Sequence, residues 1–198
     1  MKRRMRTLDI TYAAMFVALM AIGANIASWA PFLEVAGIPL SMQPFFCILA
    51  GILLGSRLGA ISMFVYLLVG VAGAPVFAQF GSGMGAVLGG SGGFILSYII
   101  TAFVVGLIVE RNEKPGIATF MTASFVGIIL IYVIGTTYMW FIVNNVAEGN
   151  MSYEAAWRIM AWFSVKDLVF TVICAMIAPR LYHALNKTTN ISNTRRVA

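Results

Sequence analysis

Charge is scarce in this sequence. Only 10% of its 198 residues are Asp, Glu, Lys or Arg, while 61% are hydrophobic; an ordinary soluble domain carries roughly 25% charged residues, so a water-soluble globule is excluded. Cysteine occurs twice and histidine once. Cys47 and Cys174 both lie inside apolar stretches, which supports neither a disulfide framework nor a zinc site, and both read as packing residues. The pattern Gly-x-x-x-x-Gly-Lys-Ser/Thr is missing, so ATP phosphates are not cradled by the usual loop, and any ATP-driven function must borrow its ATPase. No solenoid period or inverted repeat is visible, which disfavours a symmetric carrier.

What the sequence does have is long apolar runs. Six spans of about 20 residues would occupy roughly 120 residues and leave only short connections and tails. Residues 1–198 therefore read as a single membrane domain. Breaks at Gly, Pro and the few charges place the spans at 8–29, 44–56, 58–77, 90–109, 116–143 and 155–183. The expected fold is an all-α integral membrane protein with six transmembrane helices. The first span follows the basic start Lys2-Arg3-Arg4-Met5-Arg6 and lacks a small-residue cleavage site, so it is expected to stay attached rather than act as a signal peptide. The second is short, is opened by Pro44 in a first-turn position, and is expected to be tilted or only partly spanning.

The basic residues settle which side is which. With the N-terminus inside, the N-tail, the turn at Arg57, the loop around Arg111 and Lys114, and the C-tail from Arg180 hold 11 of the 13 Lys and Arg residues. The opposite connections, 30–43, 78–89 and 144–154, carry Glu34, Glu148 and Glu154 and no Lys or Arg. That bias predicts cytoplasmic N- and C-termini and makes the basic residues topological, with no nucleic-acid partner.

Arg158 and Lys166 are left over, and Lys166 stands beside Asp167 inside the last span. Each charge at membrane depth costs at least ~2.5 kcal/mol, so the pair needs partners. It lies about 18 Å of helix beyond Glu154, in the outer half of the bilayer. Lys166 and Asp167 are read as the polar anchor of an outward-facing pocket, against the alternative of a mutually satisfied packing clamp. Residues 70–93 are glycine-rich. Irregular backbone at that depth is tolerated only against protein or a cavity, and amides opening the fourth span, with the Ser91 hydroxyl, suit an anion such as a carboxylate; Gln79 is a further candidate contact. The connection 30–43 is apolar enough to fold back as a lid, or to anchor at the interface. Tyr98, Tyr132, Tyr138, Trp140, Trp157 and Trp162 are available as pocket walls, although each also suits ordinary core or interface packing. Gly89-Gly90-Ser91-Gly92 matches an intramembrane serine protease pattern, but the single histidine, His183, falls at the opposite end of the last span, so no catalytic residue is assigned.

Several motifs together resemble the BioY family, the biotin-specific substrate-binding subunits of energy-coupling-factor (ECF) vitamin transporters. Ile38-Pro39-Leu40-Ser41-Met42-Gln43-Pro44 resembles that family's Pro-x-Thr-x-Gln start of helix 2. Leu49-Ala50-Gly51-Ile52-Leu53-Leu54-Gly55, Tyr66-Leu67-Leu68-Val69-Gly70 and Gly73-Ala74-Pro75-Val76-Phe77-Ala78 resemble its middle. Gly90-Ser91-Gly92-Gly93-Phe94 is similar to Gly-Pro-Thr-Gly-Gly-Tyr, with Gly90 for Pro and Ser91 for Thr. Asp167 resembles the helix-6 aspartate; the lysine that often follows it by three residues is replaced there by Phe170, with Lys166 one turn earlier on the same face.

The resemblance implies high-affinity biotin capture and uptake by a non-enzymatic S component in the prokaryotic cell membrane. No cofactor or metal is implied, and the partners are a membrane coupling subunit and two cytoplasmic ATPases. Taken with the reading of the residues above, the candidate substrate-binding residues are Lys166, Asp167, Ser91, Gln79, Tyr98 and Gln43, and Ala14 and Ala18 resemble the family's small-residue docking face. Rival readings are an S component for another vitamin and a structural or assembly membrane protein.

Overall fold

The structure, a computed structural model, describes residues 6–29, 34–35, 38–39, 41–147 and 149–188. Its long elements are helices. They are α1 (Thr7–Trp29), α2 (Gln43–Leu54), α3 (Ser56–Val71), a short α4 (Met84–Leu88), α5 (Gly92–Glu110), α6 (Ile117–Asn145) and α7 (Tyr153–Thr188). A minimal hairpin of β1 (Glu34–Val35) and β2 (Ile38–Pro39) lies between α1 and α2, pairing Glu34 with Pro39 and Val35 with Ile38. Residues 30–33, 36–37 and 40 of the expected lid fall outside the described residues.

The six expected spans correspond to α1, α2, α3, α5, α6 and α7, with two differences. The third, expected to reach residue 77, ends at Val71, because the chain turns at Ala72 and Gly73. The connection that follows holds α4, which the glycines around Met84 hid from a reading by apolar periodicity. Four helices, α1, α5, α6 and α7, are long and apolar enough to cross a membrane; α2 and α3 are shorter apolar helices.

The short α2 is the hub of the bundle. It packs against α1, α3, α5, α6 and α7, while α3 and α6 flank α5 and α6 flanks α7. Its sequence suits that place: Cys47, Ile48, Ala50 and Ile52 are fully buried and no charge occurs in it. Outward positions on the surrounding helices, such as Ile100, Ile129, Val165 and Val169, are exposed and apolar, as a lipid-facing surface requires. Cys47 and Cys174 are both buried free thiols, in keeping with a packing role.

The corner between α2 and α3 is built by Gly55, at φ 85°, a conformation that side chains disfavour. Gly106 of α5 packs against it so closely that a Cβ there would lie 2.2 Å from the Ser56 nitrogen. One turn further, the Glu110 carboxylate accepts from the Ser56 backbone N–H at 2.9 Å and from the Ser56 hydroxyl at 2.6 Å. α3 is therefore capped from another helix, which satisfies an amide its own sequence leaves without a partner.

Candidate functional site

At the end of the bundle opposite that corner, the first turns of α2 and α5 meet residues 131–143 of α6, residues 160–167 of α7 and the glycine-rich connection. They enclose a cavity of about 460 Å³, within the range of small-molecule sites. Phe77, Phe94, Ile95, Ile131, Met139, Val143, Met160 and Phe163 give it apolar walls; its polar lining includes Ser41, Gln43, Ser91, Tyr98, Tyr132, Lys166 and Asp167.

Lys166 and Asp167 form an ion pair of 2.7 Å, with side chains 17% and 8% exposed. Neighbouring helix positions diverge by about 100°, yet the long lysine folds back onto the carboxylate. The second oxygen of Asp167 accepts from the Tyr132 hydroxyl of α6 at 2.7 Å. Lys166 also donates to the Ser41 carbonyl at the mouth of α2 and lies 6.0 Å from the Phe170 ring centre. The backbone below the pair is held by the Thr171 hydroxyl, which donates to the Asp167 carbonyl at 2.6 Å. Each charge thus has a partner outside α7, as charges largely removed from water require.

The Gly-rich connection is shaped by contacts from three sides. Gln79 and Phe80 adopt positive φ of 56° and 55°, costly for residues with side chains. Their turn is held by Asn25 of α1, whose side-chain oxygen accepts the Phe80 N–H at 2.6 Å. The Gly83 N–H donates to the Gly70 carbonyl at 2.7 Å. α4 sits on the first turn of α5, where a Cβ on Gly92 would lie 1.6 Å from the Val87 carbonyl oxygen, and the Tyr138 hydroxyl of α6 donates to that same carbonyl at 3.0 Å.

Residues 1–187 match the BioY family. The chain belongs to that family. Among BioY relatives, the putative biotin transporter BioYB of Bacillus subtilis (strain 168) is 52% identical over 191 residues, 96% of each protein. The probable biotin transporter BioY of Pyrococcus horikoshii is 38% identical across 89% of this chain and 98% of its own length. The biotin transporter BioY of Thermotoga maritima is 31% identical across 85% and 92%. A crystal structure of the S-component for biotin from an ECF-type ABC transporter superposes with a TM-score of 0.75 at 21% identity, over 90% of this chain and 94% of that one. The two share a fold.

Within this BioY fold, five of the six residues expected at the pocket line the cavity: Gln43, Ser91, Tyr98, Lys166 and Asp167. Gln79 does not. The left-handed turn pinned by Asn25 leaves its side chain exposed and outside the lining. The Ser91 hydroxyl is itself exposed and reaches the Ala86 carbonyl of α4 only at 3.5 Å. Of the aromatic candidates, Tyr98 and Tyr132 line the cavity, Tyr138 and Trp140 bond to backbone carbonyls, and Trp162 is 74% exposed on the outside of α7. His183 is exposed far along α7 from Ser91, so the two form no catalytic pair. Ala14 and Ala18 face outward on α1. Sequence reading missed the Tyr132 bond to Asp167 and the part played by Tyr66, since neither long-range contact leaves a local pattern.

Proposed function

We propose that this protein captures biotin with high affinity in the cavity and serves as the substrate-binding subunit of an ECF-type transporter. The observation that carries this reading is the placement of a buried Lys–Asp pair against a cavity whose walls are otherwise mostly aromatic and aliphatic. Biotin presents an apolar bicycle, a ureido edge with two N–H donors and a carbonyl, and a valerate carboxylate. Asp167 accepts from the ureido N–H groups; Lys166 donates to a ligand carbonyl or carboxylate. Ser91 and nearby amides hold the other end. Tyr98, only 4% exposed, lines the same cavity and turns a phenol ring toward the ligand space. Aromatic walls enclose the bicycle.

The 1–198 chain acts as one membrane domain crossing the bilayer six times, with both termini cytoplasmic and the cavity in the outer half. The distribution of Lys and Arg supports that orientation. It carries no catalytic residue, metal or cofactor of its own. Energy comes from two cytoplasmic ATPases through a membrane coupling subunit, which docks on the face of α1 bearing Ala14 and Ala18. Their outward placement supports docking over internal packing.

Calorimetric titration of the purified chain in detergent is expected to give saturable binding with biotin and none with riboflavin or thiamine. Binding of one of the other vitamins instead assigns the fold to a different ligand. Binding of none refutes the capture reading.

A further inference from the structure

Tyr66 of α3 is fully buried and is not part of the cavity lining, yet its hydroxyl lies at the centre of a directed hydrogen-bond chain. It donates to the Val76 carbonyl at 2.8 Å and accepts from the Gln43 side-chain nitrogen at 2.8 Å. The Val76 oxygen can only accept, so the single Tyr66 proton is committed to it, and the group facing Tyr66 from Gln43 must be a donor. That fixes which end of the amide is nitrogen. At the other end, the Gln43 oxygen accepts from the Ser41 hydroxyl at 2.9 Å, and that hydroxyl accepts the Gln43 backbone N–H at 3.0 Å. The polarity agrees at every link. The Phe77 ring, 5.5 Å from the Tyr66 ring at 82°, packs it in place.

We propose that Tyr66 is a positioning residue for ligand recognition, setting the orientation of the Gln43 amide that lines the cavity. The inference rests on the biotin reading above. So oriented, Gln43 retains one lone pair on its oxygen at the Ser41 side and one N–H at the Tyr66 side. It reads a ligand edge that offers a donor beside an acceptor in that order, as one N–H and the carbonyl of a cyclic urea do. With the tyrosine hydroxyl removed, the amide keeps only the Ser41 hydroxyl, which can accept as well as donate, so the choice of which end is nitrogen is no longer fixed and the reading of that edge is lost.

The test is a double-mutant cycle on biotin affinity, with thermal unfolding of each variant recorded alongside. Tyr66→Phe is expected to weaken biotin binding roughly five- to tenfold, and Gln43→Met by at least as much. The double variant should bind no worse than Gln43→Met alone, because Tyr66 acts only through that amide. Equal losses from Tyr66→Phe in both backgrounds would assign it an independent packing role and overturn the proposal. Binding of Gln43→Met like the parent overturns it too, as does failure of Tyr66→Phe to fold, since the hydroxyl then serves the fold. A parent chain that does not bind biotin refutes the underlying reading, whereas a binding parent with an additive cycle refutes only the role of Tyr66.

Discussion

Replacing Asp167 by Asn separates a ligand anchor from a packing clamp. Asn keeps the shape and can still accept from Tyr132, but its amide then sits 2.7 Å from the Lys166 ammonium, donor against donor. Lys166 is left largely buried with the Ser41 carbonyl as its remaining close acceptor. Removing one partner of a buried ion pair costs about 3–5 kcal/mol of stability. The loss of a charged acceptor for ligand N–H groups costs about 1.5–3 kcal/mol of binding, or roughly 10- to 150-fold in Kd. The two costs part company in Asp167→Asn combined with Lys166→Met. Without the uncompensated charge, most of the stability should return, since apolar replacement of a buried pair is often neutral. The ligand has still lost its anchor, so biotin affinity should stay low. Thermal unfolding and calorimetric titration of the parent, the two single variants and the double variant measure both quantities. If the double variant binds biotin like the parent, or if Asp167→Asn alone does so with its fold intact, the pair is a clamp and the site reasoning fails.

Gly92→Ala should unseat α4 from the first turn of α5, given the 1.6 Å approach to the Val87 oxygen, and titration should show biotin affinity falling by more than tenfold as Ala86 of α4, which also lines the cavity, moves. Glu110→Ala removes the cap on α3 at the far end of the bundle; a loss of about 1 kcal/mol lowers Tm by a few degrees and leaves biotin Kd unchanged, as melting and titration of one sample check. Ala14→Trp with Ala18→Trp, both on the outward face of α1, should leave biotin binding near normal while abolishing co-purification with the coupling subunit and ATP-dependent uptake; loss of binding by the isolated chain would locate docking elsewhere.

The helices were legible because the apolar runs are broken by glycine, proline or a charge, and burial in a membrane demands long apolar runs. The Lys166–Asp167 pair was legible for the complementary reason: at membrane depth a charge is costly, so its presence alone points to partners. What those partners are was not legible. Tyr132 is 35 residues from Asp167 in sequence, and Tyr66 is 23 from Gln43; only the packing of α6 on α7 and of α3 on α2 brings them together. Gln79 misled because polarity in a glycine-rich segment suggests a contact, whereas its direction is decided by a backbone turn that Asn25 holds from another helix. α4 escaped notice because a five-residue helix carries too little periodicity to register against its flanking glycines.

The central position of α2 has a consequence for how such a site can change its ligand. Every long neighbour rests on this one short helix, so a substitution along its fully buried stretch from Cys47 to Ile52 disturbs several interfaces at once. Met139, Val143, Met160 and Phe163 belong instead to α6 and α7 and form one side of the cavity. Cavity width can be redrawn there, by exchanging flexible methionines for smaller or stiffer side chains, while the hub stays as it is. Divergence toward a bulkier or slimmer vitamin, in nature or in the laboratory, has its cheapest route through those four positions.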